Sequence, residues 1–166
     1  MKYLKYFLIA GLLFAVLAFS TSKNTRPSEG ISPGDLFPLI ENLKGEKGTR
    51  LNLSELRGKK VLVNFWAAYD AASHIENVLM AKKLQQSEYA IQLISVSLDE
   101  SEAVFEKTIA FDKVDIANQF WADQDSKDAL KKRYRLTKGF KSYLLDEEGK
   151  ILAMNLSPQN IDEYLN

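Results

Sequence analysis

Asp70, Ser73 and His74 are the residues whose types and spacing could support chemistry. They follow closely on a strongly apolar segment at 61–66 with the sequence VLVNFW. A hydrolytic triad would need a hydrogen bond between Ser73 and His74, but neighbours on a helix point about 100° apart. No G-x-S-x-G sequence is present either. The spacing therefore argues against a serine hydrolase.

A metal site is the second chemistry that this spacing suggests. Asp70 and His74 stand four residues apart and could share an ion, but a zinc site takes three or four protein ligands. His74 is the one histidine of the chain, and spacing suggests no third ligand. We expect no metal and no cofactor. Asp70 is instead predicted to cap a helix, and His74 to pair locally with a carboxylate or to face solvent.

Composition excludes several further classes of function. The 166 residues contain no cysteine, so disulfides, thiolate catalysis and cysteine-ligated metal sites are impossible. Basic and acidic residues balance at 22 each, and no basic stripe is visible, so we expect no nucleic-acid partner. The small cluster 131–133 is interpreted as a solvated helix end.

Residues 1–20 have the arrangement of a signal peptide. Lys2 and Lys5 precede an uninterrupted apolar run at 6–19, and small residues follow it. A membrane-spanning helix needs about 20 apolar residues, so cleavage is favoured over an uncleaved anchor. We predict an exported protein of the bacterial periplasm or cell envelope, with membrane contact only through this leader if it is uncleaved. Residues 21–33 are then a linker and 34–166 one domain.

The elements that must position Asp70 and its neighbours follow from hydrophobic periodicity. Strands are expected at 36–43, 49–53, 60–66, 91–98, 142–146 and 150–156, with a short turn at 54–58 capped by Ser54. Helices are expected at 70–86, from Asp99 (in a capping box with Glu102) to 111, at 126–134 and from Pro158 onward. Inward-facing apolar residues are predicted at 75, 78 and 79 and at 161, 164 and 165. This order predicts an α/β domain of three layers, α/β/α, with a mixed central sheet and an N-terminal strand extension.

Two segments carry a resemblance to a known family. The segment 61–74 reads VLVNFWAAYDAASH, and 134–150 reads YRLTKGFKSYLLDEEGK. They resemble the thioredoxin-like proteins of the bacterial envelope, which include the TlpA- and ResA-type reductases. In those proteins a similar strand runs into W-C-x-x-C, and Y-x-V-x-G-I-P-T-T-F-L-I-D-x-x-G-K follows later. The likeness spans about 34–166 and implies a thioredoxin-like fold of the redoxin superfamily.

The resemblance also defines a degenerate active site. Its positions are Trp66, Tyr69, Asp70, Ala71, Ala72, Ser73 and Phe140. Asp70 and Ser73 stand at the two cysteines, and Phe140 stands at the cis-proline. A cis bond without proline costs about 2.5–4 kcal/mol, so we expect a trans bond there. We predict no catalytic residue and no thiol–disulfide exchange or peroxidase activity.

Three functions remain open at this point. The first is a redox-inactive module that binds or scaffolds an envelope protein or peptide through an aromatic patch of Trp66, Tyr69 and Phe140. The alternative interpretation is structural: it is favoured for Trp66, which would be a core residue, and it stays open for Tyr69 and for Phe140, which could simply fill the space left by the lost proline. The second is an enzyme of other chemistry in the same cleft, with Asp70 as acid or base. The third is a homologue of the oxidoreductases that retains no activity.

Overall fold

The computed structural model describes residues 27–41, 43–86 and 90–164. Its strands are β1 (Leu43–Lys44), β2 (Arg50–Leu51), β3 (Lys60–Trp66), β4 (Ile91–Ser97), β5 (Gln119–Trp121), β6 (Ser142–Leu145) and β7 (Ile151–Met154). Its α-helices are α1 (Ala71–Gln85), α2 (Glu102–Asp112) and α3 (Gln124–Arg133). The leader lies outside the described residues, and none of the described helices is long and apolar enough to cross a membrane.

The seven strands form one mixed sheet in the order β2-β1-β5-β4-β3-β6-β7. β3, β4 and β5 are parallel, and the remaining pairs are antiparallel. β3 lies in the middle and pairs with β4 from Lys60↔Ile91 to Trp66↔Ser97. Val61 to Trp66 are all buried, as expected for a strand covered on both faces.

Helices cover both faces of this sheet. On one face Leu62 packs in a cluster with Met80 of α1, and Trp66 packs in a cluster with Phe105 and Ile109 of α2. On the other face α3 and the segments 37–40 and 53–56 cover the inward side chains, including Val63 and Phe65. The predicted three-layer α/β/α fold with a mixed sheet and N-terminal strands is therefore confirmed.

An aromatic cluster holds the α3 face together. The ring centroids of Phe37 and Tyr134, Phe37 and Tyr143, and Phe65 and Tyr134 are each 5.0 Å apart. The Tyr134 hydroxyl donates to the carbonyl of Pro38 at 2.7 Å, and the Tyr143 hydroxyl donates to the carbonyl of Tyr134 at 3.1 Å. These bonds fasten the N-terminal segment to α3 and the sheet.

The N-terminal strands are shorter than predicted, and one strand was missed. Of the described residues of 36–43, which exclude position 42, Leu43 alone belongs to a strand, while Leu36 forms single bridges with Glu29 and Lys150. Pro38 has no N–H to donate, and Phe37 and Ile40 are buried in the core instead of extending a ladder. β5 was not predicted because its three residues are too few to show a period.

Several boundaries also differ from the predictions. α2 begins at Glu102 after Ser101, so Asp99 is not its cap, and α3 begins at Gln124 because Asp123 caps it. The turn at 54–58 is a 3-10 helix, Leu53–Leu56, which Ser54 does not cap. The predicted last helix is the 3-10 helix Ile161–Tyr164. Ile161 is buried as predicted and Tyr164 is exposed. Residue 165 lies outside the described part of the chain.

The inward stripe predicted for α1 is wrong at two of its three positions, whereas Val78 is half-buried and packs against the cluster of Trp66, Phe105 and Ile109. Ile75 and Leu79 are 58% and 45% exposed, whereas the helix buries Ser73, Asn77 and Met80. Asn77 faces polar side chains of the sheet, and its amide joins Asn64 and Gln119 at 3.2 Å each. A polar patch in the sheet therefore decides which side of α1 turns inward.

Because Tyr143 is buried, we expect the protein to lose stability at high pH. Burial raises the pKa of Tyr143 to about 12. The contribution of Tyr143 to the free energy of unfolding is therefore fully present below the unfolded-state pKa of about 10, and it is lost as pH rises through about 12. We expect Tyr143→Phe to be about 0.5–1.5 kcal/mol less stable near neutral pH, because the bond to Tyr134 is lost. It should then lose less stability than the wild type between about pH 8 and about pH 11.

Urea titrations of both proteins at the two pH values measure this difference. Tyr164→Phe serves as the control, because Tyr164 is 39% exposed. An equal pH-dependent loss in wild type and Tyr143→Phe would contradict the assignment.

Candidate functional site

The loop after β3 delivers Asp70 to the N-terminus of α1. Its carboxylate Oδ1 accepts the backbone N–H of Ser73 at 2.8 Å. This is the predicted N-cap, an interaction worth about 0.5–2 kcal/mol relative to alanine. The carboxylate therefore satisfies a free N–H group of the first turn, where the helix dipole also favours negative charge.

Ser73 is held by the backbone and is buried, with 7% of its surface exposed. Its hydroxyl donates to the carbonyl of Asp70 at 3.2 Å and accepts the N–H of Ala67 at 3.3 Å. These two hydrogen bonds fasten the loop to the first turn of the helix. Ala71 and Ala72 occupy exposed positions in the first turn.

His74 pairs with a carboxylate, and the partner is Asp112 at the end of α2. Its Nε2 lies 2.6 Å from Asp112 Oδ2. The ring also stacks on Trp66, with centroids 5.6 Å apart and planes inclined by 22°. The neighbour Asp70 considered from spacing is not the partner, because its carboxylate turns toward Ser73. His74 thus ties α1 to α2 above the core.

Asp99 is the residue of this site that the sequence analysis missed. Its side chain is buried, with Oδ1 accepting the N–H of Ala68 at 2.8 Å and Oδ2 accepting the Ser97 hydroxyl at 2.8 Å. Its carbonyl accepts the indole N–H of Trp121 at 2.9 Å. The sequence signal for this role was an acidic residue directly after a predicted parallel strand. The same residue also fitted a capping box with Glu102, and the sequence analysis assigned it to that role.

Tyr69 and Phe140 form the exposed aromatic part of the site. Tyr69 is 63% exposed, and its ring centroid lies 6.1 Å from that of the half-buried Phe140. Trp66 is fully buried and belongs to the core. We call the Tyr69–Phe140 pair the aromatic shelf. Partial burial of the phenol raises the pKa of Tyr69, and the charges of Asp99, Asp70 and Glu100 raise it further.

The backbone beside the aromatic shelf is open. No described residue is hydrogen-bonded to the N–H or the carbonyl of Phe140. The described residues contain no cis peptide bond, so Phe140 follows a trans bond as expected. They also contain no group of three side chains that could hold a metal ion. The arrangement presents an aromatic surface and free backbone groups, while Asp70 and Ser73 are engaged in capping.

The buried carboxylate of Asp99 predicts a strong effect of its removal. Asp99→Ala would leave the Ala68 N–H without its acceptor, so we expect a loss of about 1–3 kcal/mol in the free energy of unfolding. The exposed neighbour gives a matched control, and Glu100→Ala should stay within about 0.5 kcal/mol of the wild type. Urea titration followed by tryptophan fluorescence measures both. Equal stabilities of the two variants would contradict the role given to Asp99.

Comparisons with known proteins place this geometry in a family. The thioredoxin-like protein YneN of Bacillus subtilis is 31% identical over 153 residues, which cover 86% of this chain and 85% of YneN. The thiol-disulfide oxidoreductase ResA of Oceanobacillus iheyensis is 26% identical over 163 residues, covering 96% and 82%. No protein-family model matches the chain.

Solved structures agree with these relatives. A thioredoxin-like protein from Parabacteroides distasonis superposes with a TM-score of 0.73 at 37% identity and covers 84% of this chain and 98% of that protein. The overall fold is thus shared with proteins of this kind. The chain belongs to the thioredoxin-like family of the thiol-disulfide oxidoreductases, as a member without cysteine.

Proposed function

We propose that this protein is an exported, redox-inactive thioredoxin-like module that binds an extended protein or peptide segment of the cell envelope at the aromatic shelf. The observation that carries the proposal is the exposure of Tyr69 beside Phe140, whose backbone N–H and carbonyl are free among the described residues. An exposed aromatic surface next to free backbone groups suits a segment that adds alongside as a strand.

Redox inactivity follows from the atoms available at the helix start. Thiol–disulfide exchange requires a thiolate attacking a disulfide sulfur, and the chain has no thiol. Asp70 supplies a carboxylate at the position that the family resemblance assigns to the nucleophilic cysteine, but its Oδ1 accepts the Ser73 N–H. The free N–H groups and the helix dipole would stabilise a thiolate at a helix N-terminus. In this protein they interact with the capping carboxylate of Asp70 instead.

Export is supported by the leader pattern of residues 1–20, with its basic start, apolar run and small residues at the end. An enzyme with Asp70 as acid or base gains no support from the geometry, because that carboxylate is committed to the cap.

The first prediction concerns redox chemistry. The purified wild-type chain should reduce insulin disulfides no faster than buffer with dithiothreitol alone, because it supplies no sulfur nucleophile. The double variant Asp70→Cys and Ser73→Cys restores two thiols at the C-x-x-C spacing and is the positive control. A single Asp70→Cys variant controls for the effect of one free thiol. Catalytic turnover by the wild type would refute redox inactivity.

The second prediction concerns binding at the aromatic shelf. A photoreactive phenylalanine analogue placed at position 69 should form a covalent adduct with a discrete partner in living cells. Phe140→Ala in the same protein should reduce the adduct yield by about tenfold or more, since an aromatic contact at a binding centre often contributes more than about 1.4 kcal/mol.

Position 111 provides the matched control, because Phe111 is aromatic and 86% exposed on α2. The same analogue there should not give this adduct. Equal adducts from both positions, or an adduct from position 69 that is indifferent to Phe140→Ala, would contradict the proposed binding site.

A further inference from the structure

A cleft opens beside Tyr69, between the loops that follow β3 and β4. It is lined by Tyr69, Asp99, Glu100 and Val104, and its volume is about 310 Å³. Val104 belongs to the first turn of α2, and the other three residues lie in the two loops. This volume is at the lower end of the range of ligand sites, about 300–1,000 Å³, so the space suits one long side chain. We call it the Tyr69 cleft.

Two exposed apolar side chains form part of the wall of the Tyr69 cleft. Tyr69 is 63% exposed and Val104 is 45% exposed. The Tyr69 ring also belongs to the aromatic shelf, with its centroid 6.1 Å from that of Phe140, so the cleft and the shelf adjoin. An aromatic ring and an aliphatic side chain at the surface provide contact area for the methylene stem of a long side chain.

The Tyr69 cleft has an excess of negative charge. Besides partial burial, three negative charges raise the pKa of the Tyr69 phenol. They belong to Asp99, Asp70 and Glu100, and none of these carboxylates forms an ion pair with a described residue. Lys127 lies within electrostatic reach of Asp99 and Glu100, but it is buried and does not line the cleft. One ammonium group does not balance three carboxylates, so the cleft attracts a cation.

Glu100 is the carboxylate that can meet a cation from solvent. Asp70 accepts the N–H of Ser73, and the buried Asp99 accepts the N–H of Ala68. Glu100 is exposed, and its carboxylate accepts no hydrogen bond from any described residue. Its oxygens are therefore available for a charge-assisted hydrogen bond with a bound group.

We propose that the Tyr69 cleft receives a lysine or arginine side chain of the segment that binds at the aromatic shelf. The stem of this side chain lies against Tyr69 and Val104, and its charged end meets Glu100. A cation near the face of the Tyr69 ring is attracted by the ring as well. The inference rests on the proposed function, because it names the chemistry of the segment that binds at the same surface.

A random peptide library displayed on phage, selected against the purified full chain, tests the chemistry of this segment. The selected peptides should carry lysine or arginine at one recurring position. Selection on Glu100→Gln should lose this preference, because the available carboxylate is gone. Glu106→Gln is the matched control and should keep the preference, since Glu106 is an exposed glutamate of α2 that does not line the cleft.

Calorimetric titration with a selected synthetic peptide measures the contact itself. The wild type should bind this peptide about tenfold more tightly than a copy with norleucine at the basic position, because norleucine keeps the stem and removes the charge. In Glu100→Gln the difference between the two peptides should shrink to about twofold or less, whereas Glu106→Gln should retain it.

The results distinguish this inference from the proposed function. If no peptide is selected, or if both Phe140→Ala and Tyr69→Ala leave peptide binding unchanged, the aromatic shelf binds no segment and both proposals fail. If binding depends on these two rings but the selected peptides share no basic position, the inference alone is overturned. A basic preference that survives Glu100→Gln, or that Glu106→Gln removes equally, overturns the inference as well.

Discussion

Parallel pairing between β3 and β4 determines where the candidate site lies. Seven residue pairs hold the two strands in register up to Trp66 and Ser97, so the loops that follow them emerge side by side. The carboxylate of Asp99 then lies within reach of the Ala68 N–H, and one buried side chain fastens the loop that carries Tyr69 and Asp70. The capped start of α1, the aromatic shelf and the stacking of His74 on Trp66 all depend on this alignment.

The negative charge of Asp99 interacts electrostatically with Lys127 of α3, the helix that packs on the sheet. Trp121 donates its indole N–H to the Asp99 carbonyl, and the ammonium group of Lys127 lies 5.7 Å from the centre of the Trp121 ring. Burial lowers the pKa of Lys127, whereas the charges of Glu100 and Asp99 act in the opposite direction. The indole of Trp121 therefore contacts both the backbone of Asp99 and the ammonium group of Lys127, and the attraction between the opposite charges of Lys127 and Asp99 lessens the cost of burying each.

A row of polar residues crosses the middle of the sheet beneath α1. Gln119, Ser95, Asn64 and Ser142 are cross-strand neighbours on β5, β4, β3 and β6, and all four are buried. Asn77 of α1 reaches this row and bonds to Asn64 and Gln119. Directional bonds inside a low-dielectric core fix the rotation of the helix more narrowly than apolar packing alone. The helix α1 is therefore held against the sheet at Asn77 by this row and at its N-terminus by Asp70.

The sequence by itself determined the fold class, the absence of any thiol and the cap at Asp70. Each of these can be read from the amino-acid sequence without any long-range contact: the apolar run 61–66, the absence of cysteine, and an aspartate three residues before a free helical N–H. The partner of His74, the burial of Asp99, the strand β5 and the inward face of α1 were decided by the tertiary structure. Those features join residues 22 to 42 positions apart, as in Asp99–Trp121, His74–Asp112 and Asn77–Gln119. Hydrophobic periodicity reports which side of an element is apolar, but the partners of His74, Asp99 and Asn77 come from other elements, and no local pattern contains those partners.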